Sequence, residues 1–150
     1  MIDRRIKNAE IFRDTEQRYT TDKVLIQTVR QSIEAQVFIA EKSAVDVPVQ
    51  SRTEKVKIIV SGKRSLEAAE SYAKQGKKVC VLNFASATNP GGGVVNGSSA
   101  QEECLCRCST LYPVISNGKV REYYNYHRRK NDLRYSDACI YSPDIVIIKS

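Results

Sequence analysis

The chain has 150 residues, 41% apolar and 27% charged, the make-up of one soluble globular domain that buries roughly 68–70% of its unfolded surface. No apolar run reaches membrane-span length, and the opening MIDRRIKNAEIFRD is charged throughout, so neither a spanning helix nor a secretory leader is expected and the chain reads as cytoplasmic. The net charge of +7 is uneven: residues 1–55 carry ten Lys/Arg against nine Asp/Glu, and residues 56–150 carry fourteen against eight. A basic half favours an anionic partner or is simply a solvated basic face, and with no Trp and no aromatic-interleaved basic stripe a dedicated nucleic-acid module is not indicated.

Residues 1–55 read as a helical lead-in. Ile6, Ala9, Ile11 and Phe12 give one amphipathic set ending near Tyr19-Thr20-Thr21. Asp22 is placed to cap a second helix in which Val24, Leu25, Thr28, Val29, Ser32 and Ile33 recur at three- and four-residue steps. Such stripes are packing faces far more often than partner sites. Val45–Thr53, with Pro48 inside it, reads as a connector.

From residue 56 the pattern alternates. Val56–Val60 is a strand candidate closed by Ser61-Gly62, Ser65 a candidate cap for a helix with Leu66, Ala69, Tyr72 and Ala73 on one face, and Gly76 its stop. Val79-Cys80-Val81-Leu82 and Phe84 form a second apolar strand candidate. This β–α–β order predicts a parallel pair with a right-handed crossover, hence an α/β sheet with ligands beyond the carboxyl ends of its strands. Gly91, Gly92 and Gly93 lie there, where bare backbone permits close approach. Gln101-Glu102-Glu103 follow seven residues later, at the expected entry to a helix. After Ser116-Asn117-Gly118, a turn, the polar aromatic segment Val120–Lys130 reads either as a short helix or as an irregular stretch leading into Asn131-Asp132. Ala138–Tyr141 and Ile145–Ile148 read as two short strands around Ser142-Pro143-Asp144. Residues 1–55 and 56–150 are expected to form one structural unit.

Asn89-Pro90-Gly91-Gly92-Gly93, seven residues, then Gln101-Glu102-Glu103 resembles the signature of microbial-type poly(ADP-ribose) glycohydrolases. The flanks agree: Val81–Ala87 before the glycines, Ser109–Pro113 after the carboxylates, and Tyr141-Ser142-Pro143-Asp144 later. A lone triple glycine would mean little; the full constellation is specific. It implies a macrodomain-like mixed sheet with flanking helices behind the N-terminal helical segment. The resembled proteins continue past residue 150 with further strands, a second glycine-rich loop for the diphosphate and an aromatic that stacks on adenine, so the C-terminal part of the fold is expected to be absent.

The implied chemistry is hydrolysis of ribose–ribose O-glycosidic bonds, releasing ADP-ribose. Glycosidases ordinarily set two carboxylates across the scissile bond. Glu102 and Glu103, about 100° apart on a helix, do not suit that arrangement. The resemblance assigns Glu102 to ribose hydroxyls and Glu103 to acid/base work, with Asn89, Gly91, Gly92, Gly93 and Gln101 binding substrate, and implies neither metal nor redox cofactor. Taken alone, Glu102-Glu103 would be an ordinary acidic first helical turn, Gly91–Gly93 a tight turn, and Asn89 a turn former before Pro90. Asn83 reads equally well as a backbone partner at a strand end. Val94-Val95 stand where several members of the family carry a bulkier residue.

Cys104, Cys106 and Cys108 invite a metal reading, but on a helix Cys106 points away from the other two, and the single His127 has no paired ligand. Five cysteines without a leader fit reduced thiols, and nothing places a Cys–His nucleophile pair together. Two rivals to hydrolysis remain: an ADP-ribose-binding module, or an inactive truncated remnant. A partial domain that associates through Ile145–Ile148, as a homo-oligomer, is a further expectation.

Overall fold

Asp22 sets the first turn of the architecture. Its backbone N–H donates to the Arg18 carbonyl at 2.9 Å, ending helix α1 (Arg4–Thr21), while its carboxylate accepts from the N–H groups of Val24 at 2.8 Å and Leu25 at 3.2 Å, starting helix α2 (Lys23–Ala35). One side chain thus closes one helix and caps the next. Asp3 caps α1 in the same way through the Arg5 N–H. The computed structural model describes residues 3–43, 55–130, 132 and 134–149; the connector expected over 45–53 lies outside them.

Strand β1 (Val37–Ile39) follows, then helix α3 (Ser65–Ala73), a 3₁₀ turn at Val94–Asn96, helix α4 (Gln101–Cys108), helix α5 (Leu111–Ile115), a second 3₁₀ turn at Gly118–Val120, helix α6 (Arg121–Lys130) and strand β2 (Cys139–Tyr141). β1 and β2 pair antiparallel, with Phe38 opposite Ile140. Helix α3 is capped by Arg64, not Ser65: Glu67 reaches back to accept from the Arg64 N–H at 3.0 Å. None of the helices in the described residues is long and apolar enough to cross a membrane.

The expected parallel pair is not a ladder. Residues 56–60 and 79–84 run without regular structure, and Ile58 and Val60 are 86% and 93% exposed. Apolar runs provide side chains suited to a sheet covered on both faces, but a strand also needs a neighbour for its N–H and C=O groups. Residues 82–84 find a substitute in a side-chain amide: Gln101 Nε2 donates to the Leu82 carbonyl at 2.8 Å, and Gln101 Oε1 accepts from the Phe84 N–H at 2.9 Å. Ile145–Ile148 also departs from an open strand. Val146 O accepts from Thr110 N–H at 3.0 Å and the Ile148 N–H donates to the Cys108 carbonyl at 2.8 Å, with a single bridge between Ile147 and Ser109. Residues 146–148 are thus bonded to the α4–α5 junction along one edge, and Ile145–Ile148 are half-buried.

Two apolar clusters hold the elements. Phe12, Val94, Leu105, Cys106, Leu111 and Ile115 join α1, the first 3₁₀ turn, α4 and α5, and Val81, Leu66 and Tyr112 pack against them. Val120, Tyr123, Tyr124 and Ala138 join α6 to β2 through Phe38 and Ile140. Phe12 is 1% exposed and meets Tyr112 edge to face at 5.0 Å between centroids; a side chain of this size contributes about 1.5–3 kcal/mol by burial. Gln36, 2% exposed, links α2 to the Tyr141–Asp144 segment by donating to the Val114 carbonyl at 3.1 Å and the Ser142 hydroxyl at 2.9 Å.

Candidate active site

Helix α4 begins at Gln101, so the three residues Gln101-Glu102-Glu103 form its first turn. Acidic groups are favoured there by the exposed N–H groups and the helix dipole. Both carboxylates are nonetheless buried, Glu102 at 3% and Glu103 at 8% exposure. What they touch is the preceding loop. Glu102 Oε2 accepts from the Ser86 N–H at 2.8 Å, and its Oε1 accepts from the Gly91 N–H at 3.3 Å and from Asn83 Nδ2 at 3.4 Å. Glu103 Oε1 accepts from the Gly93 N–H at 3.0 Å.

The glycines are bare because the carboxylates occupy the space. At Gly92, with φ +57°, an added β-carbon would lie 2.5 Å from Glu103 Oε1. At Gly91 it would lie 2.6 Å from the Tyr112 ring, so Tyr112 supports the loop from below. The Gly92 N–H donates to the Asn89 carbonyl at 2.9 Å. All three glycine amides are thus spent inside the protein, two of them on the glutamates. What the loop offers a ligand in this arrangement is close approach to bare backbone.

The two carboxylates differ. Glu102 is held by three donors, yet burial raises its carboxyl above the ordinary 4.5, outweighing the Ser86, Asn83 and Gly91 hydrogen bonds that act the other way. Glu103 has one oxygen held by one amide, and among the described residues no donor reaches Oε2. Oε2 is also not among the sealed-off unpaired atoms, which are Tyr19 Oη and Asn83 Oδ1. Burial pushes the Cys106 thiol strongly up, with Glu102 and Glu103 adding to the effect, and it does the same to Tyr124, with Glu102 next in weight. Cys106 and Tyr124 are therefore neutral members of the two apolar clusters, not reactive groups.

Of the residues anticipated from sequence, Glu102, Glu103, Gly91 and Gly93 are brought into direct contact. Gln101 spends both amide atoms on residues 82–84, and Asn89 is exposed on the loop. Ser86 is a Glu102 partner that sequence reasoning did not single out, legible only as part of the flank around the strand candidate, while Asn83, which read equally well as a backbone partner at a strand end, lies against Glu102. Among the described residues no group of three His, Cys, Asp or Glu side chains is gathered for a metal.

The geometry is a short acidic helix turn buried against a glycine loop, with one carboxylate held by three donors and the other by one. The family follows from comparison: the chain matches the microbial-type PARG catalytic domain over residues 8–150, and it belongs to that family. The poly(ADP-ribose) glycohydrolase of Thermomonospora curvata is similar in structure, with a TM-score of 0.79 and 29% identity over 95% of this chain and 57% of that one. Its form bound to the inhibitor ADP-HPD gives 0.75 and 27% over 95% and 55%. The Deinococcus radiodurans enzyme in complex with ADP-ribose gives 0.54 and 39% over 58% of this chain and 35% of that one. The chain therefore spans about 57% of the length of the Thermomonospora protein. No match is found among curated proteins.

Proposed function

We propose that this protein acts as a poly(ADP-ribose) glycohydrolase, with Glu103 as general acid and then general base and Glu102 as the group that orders the ribose-binding loop. The observation that carries the reading is the unequal bonding of the two carboxylates. Glu102, fixed by Ser86, Gly91 and Asn83, is built to hold a geometry, whereas Glu103 keeps an oxygen available for a proton. In the forward step Glu103 gives its proton to the leaving ribose oxygen as the glycosidic bond breaks and oxocarbenium character develops at the anomeric carbon. The resulting carboxylate then takes a proton from the water that attacks that carbon. Gly91–Gly93 let the sugar approach the backbone, and Asn89, exposed beside them, is positioned to meet ribose hydroxyls.

ADP-ribose is the ligand in the complexed Deinococcus enzyme, and the polymer's anionic units suit the basic half of this chain. The free thiols of all five cysteines suit a cytoplasmic setting. The test is release of ADP-ribose from labelled polymer together with calorimetric binding of ADP-ribose. Binding with release supports hydrolysis, binding without release supports a recognition module, and failure of both contradicts the reading.

A further inference from the structure

Arg107 lies one helical turn after Glu103 on α4, on the same face at i,i+4 spacing. It is 6% exposed, and among the described residues no carboxylate lies within ion-pair distance of it. A buried guanidinium without a counter-charge is costly unless its donors are well used. Here Nη1 donates to the Ser98 carbonyl at 2.8 Å, and Nη2 lies 3.1 Å from Cys104 Sγ.

Ser98 leads back to the catalytic loop. Its N–H donates to the Gly93 carbonyl at 3.1 Å, and the Gly93 N–H donates to Glu103 Oε1 at 3.0 Å. The path from Glu103 through Gly93, Ser98 and Arg107 returns along α4 to Glu103, so the side chains and loop form a closed ring. The ring is tight at Gly93, where an added β-carbon would lie 2.4 Å from Ser98 Oγ. It is anchored from outside by α1: Thr15 Oγ1 donates to the Arg107 carbonyl at 2.7 Å, and Asn8 Nδ2 to the Gly97 carbonyl at 3.0 Å.

We propose that Arg107 is a positioning residue for Glu103, acting through Ser98 and Gly93 to hold Oε1 so that Oε2 faces the bond to be cleaved. This rests on the assignment of Glu103 given above. Lysine keeps the charge but has no planar fork to span Ser98 and Cys104, so it replaces only part of the brace. Methionine keeps the stem and removes both donor and charge.

The test compares the wild type with Arg107→Lys and Arg107→Met on two independent readouts: kcat and KM for ADP-ribose release from polymer, and amide hydrogen exchange at Gly93 and Ser98. Arg107→Met is expected to lower kcat about 10–100-fold with KM within about twofold, because displacement of the acid affects the transition state more than binding. Exchange at Gly93 and Ser98 is expected to accelerate by about tenfold or more while amides around Phe12 keep their protection. Arg107→Lys is expected to fall between the two proteins on both readouts, and it carries the test if the methionine variant does not fold. Unchanged exchange at Gly93, uniform acceleration throughout the protein, or a lysine variant no better than methionine would each overturn the proposal. A wild type that releases no ADP-ribose defeats the glycohydrolase reading, while the exchange readout still decides whether the ring holds Glu103.

Discussion

Gly92 and Glu103 exclude any side chain between them: a β-carbon on Gly92 would stand 2.5 Å from Glu103 Oε1, at a backbone φ of +57°. Gly92→Ala is therefore expected to displace the carboxylate. A non-glycine residue in the left-handed region costs about 1–2 kcal/mol before any clash, and a misplacement near 1 Å costs about 10²-fold in rate. Urea unfolding and polymer hydrolysis check the two effects separately. An alanine variant with wild-type turnover would show that Glu103 tolerates movement.

The N-terminal helix supports the same loop. A β-carbon at Gly97, with φ +76°, would lie 2.0 Å from the Arg5 backbone carbonyl of α1, and backbone cannot give way as a side chain can. Gly97→Ala is expected to lower stability by about 2 kcal/mol or more and to raise amide exchange across both α1 and the loop. Thermal unfolding measures the first and exchange the second; a variant with an unchanged melting temperature would mean that α1 does not brace the site.

Burial holds the Glu102 carboxyl above its ordinary value of 4.5, so the folded protein binds that proton more tightly than the unfolded chain. The stability this group confers is full below 4.5 and is lost as pH rises through the folded value. Glu102→Gln stays neutral and should flatten that decline. Asp14, Glu41 and Asp132, whose carboxyls are lowered mainly by hydrogen bonds to Lys149, Tyr126 and Arg134, act in the opposite sense but are present in both proteins and cancel. Urea midpoints between about pH 4 and pH 7 give the comparison; parallel curves for the two proteins would contradict it.

Thiol labelling separates the cysteines by environment. Cys80, Cys104 and Cys139 are exposed, whereas Cys106 is fully buried and its thiol is pushed strongly up by that burial. Alkylation of the native protein at neutral pH, read by mass spectrometry, should modify the exposed three and spare Cys106 until the protein is unfolded. Early modification of Cys106 would mean that the core around Phe12 and Leu105 opens.

The parts legible in the sequence were those set by neighbours along the chain. The stop at Thr21, the Asp22 cap and the entry of α4 at Gln101 all depend on residues within a turn or two. Pairing at long range was not legible. β1 is three residues inside what reads as a helical lead-in, and it exists because Phe38 meets Ile140 across about a hundred residues of chain. Residues 56–60 and 79–84 carry the side chains of strands, but hydropathy reports a tendency to be covered and says nothing about which backbone will provide the ladder. At the site, the order of glycines and glutamates was visible, but which glutamate is saturated was not. That depends on where Ser86, Asn83 and Gly91 stand in space. Arg107 was hidden for the same reason, since a charged residue in the last turn of a helix is ordinarily a solvated one.

Glu103→Gln tests the central claim most directly, with release of ADP-ribose from labelled polymer measured beside calorimetric binding of ADP-ribose. Glutamine keeps an acceptor for the Gly93 N–H and nearly the same shape but has no transferable proton. Turnover should fall by about 10²–10⁴-fold or more while affinity changes little, whereas Glu102→Gln, which alters the group bonded to Ser86, Gly91 and Asn83, should weaken binding as well as turnover. Hydrolysis at the wild-type rate by the Glu103→Gln protein would contradict the assignment of the acid/base role to Glu103.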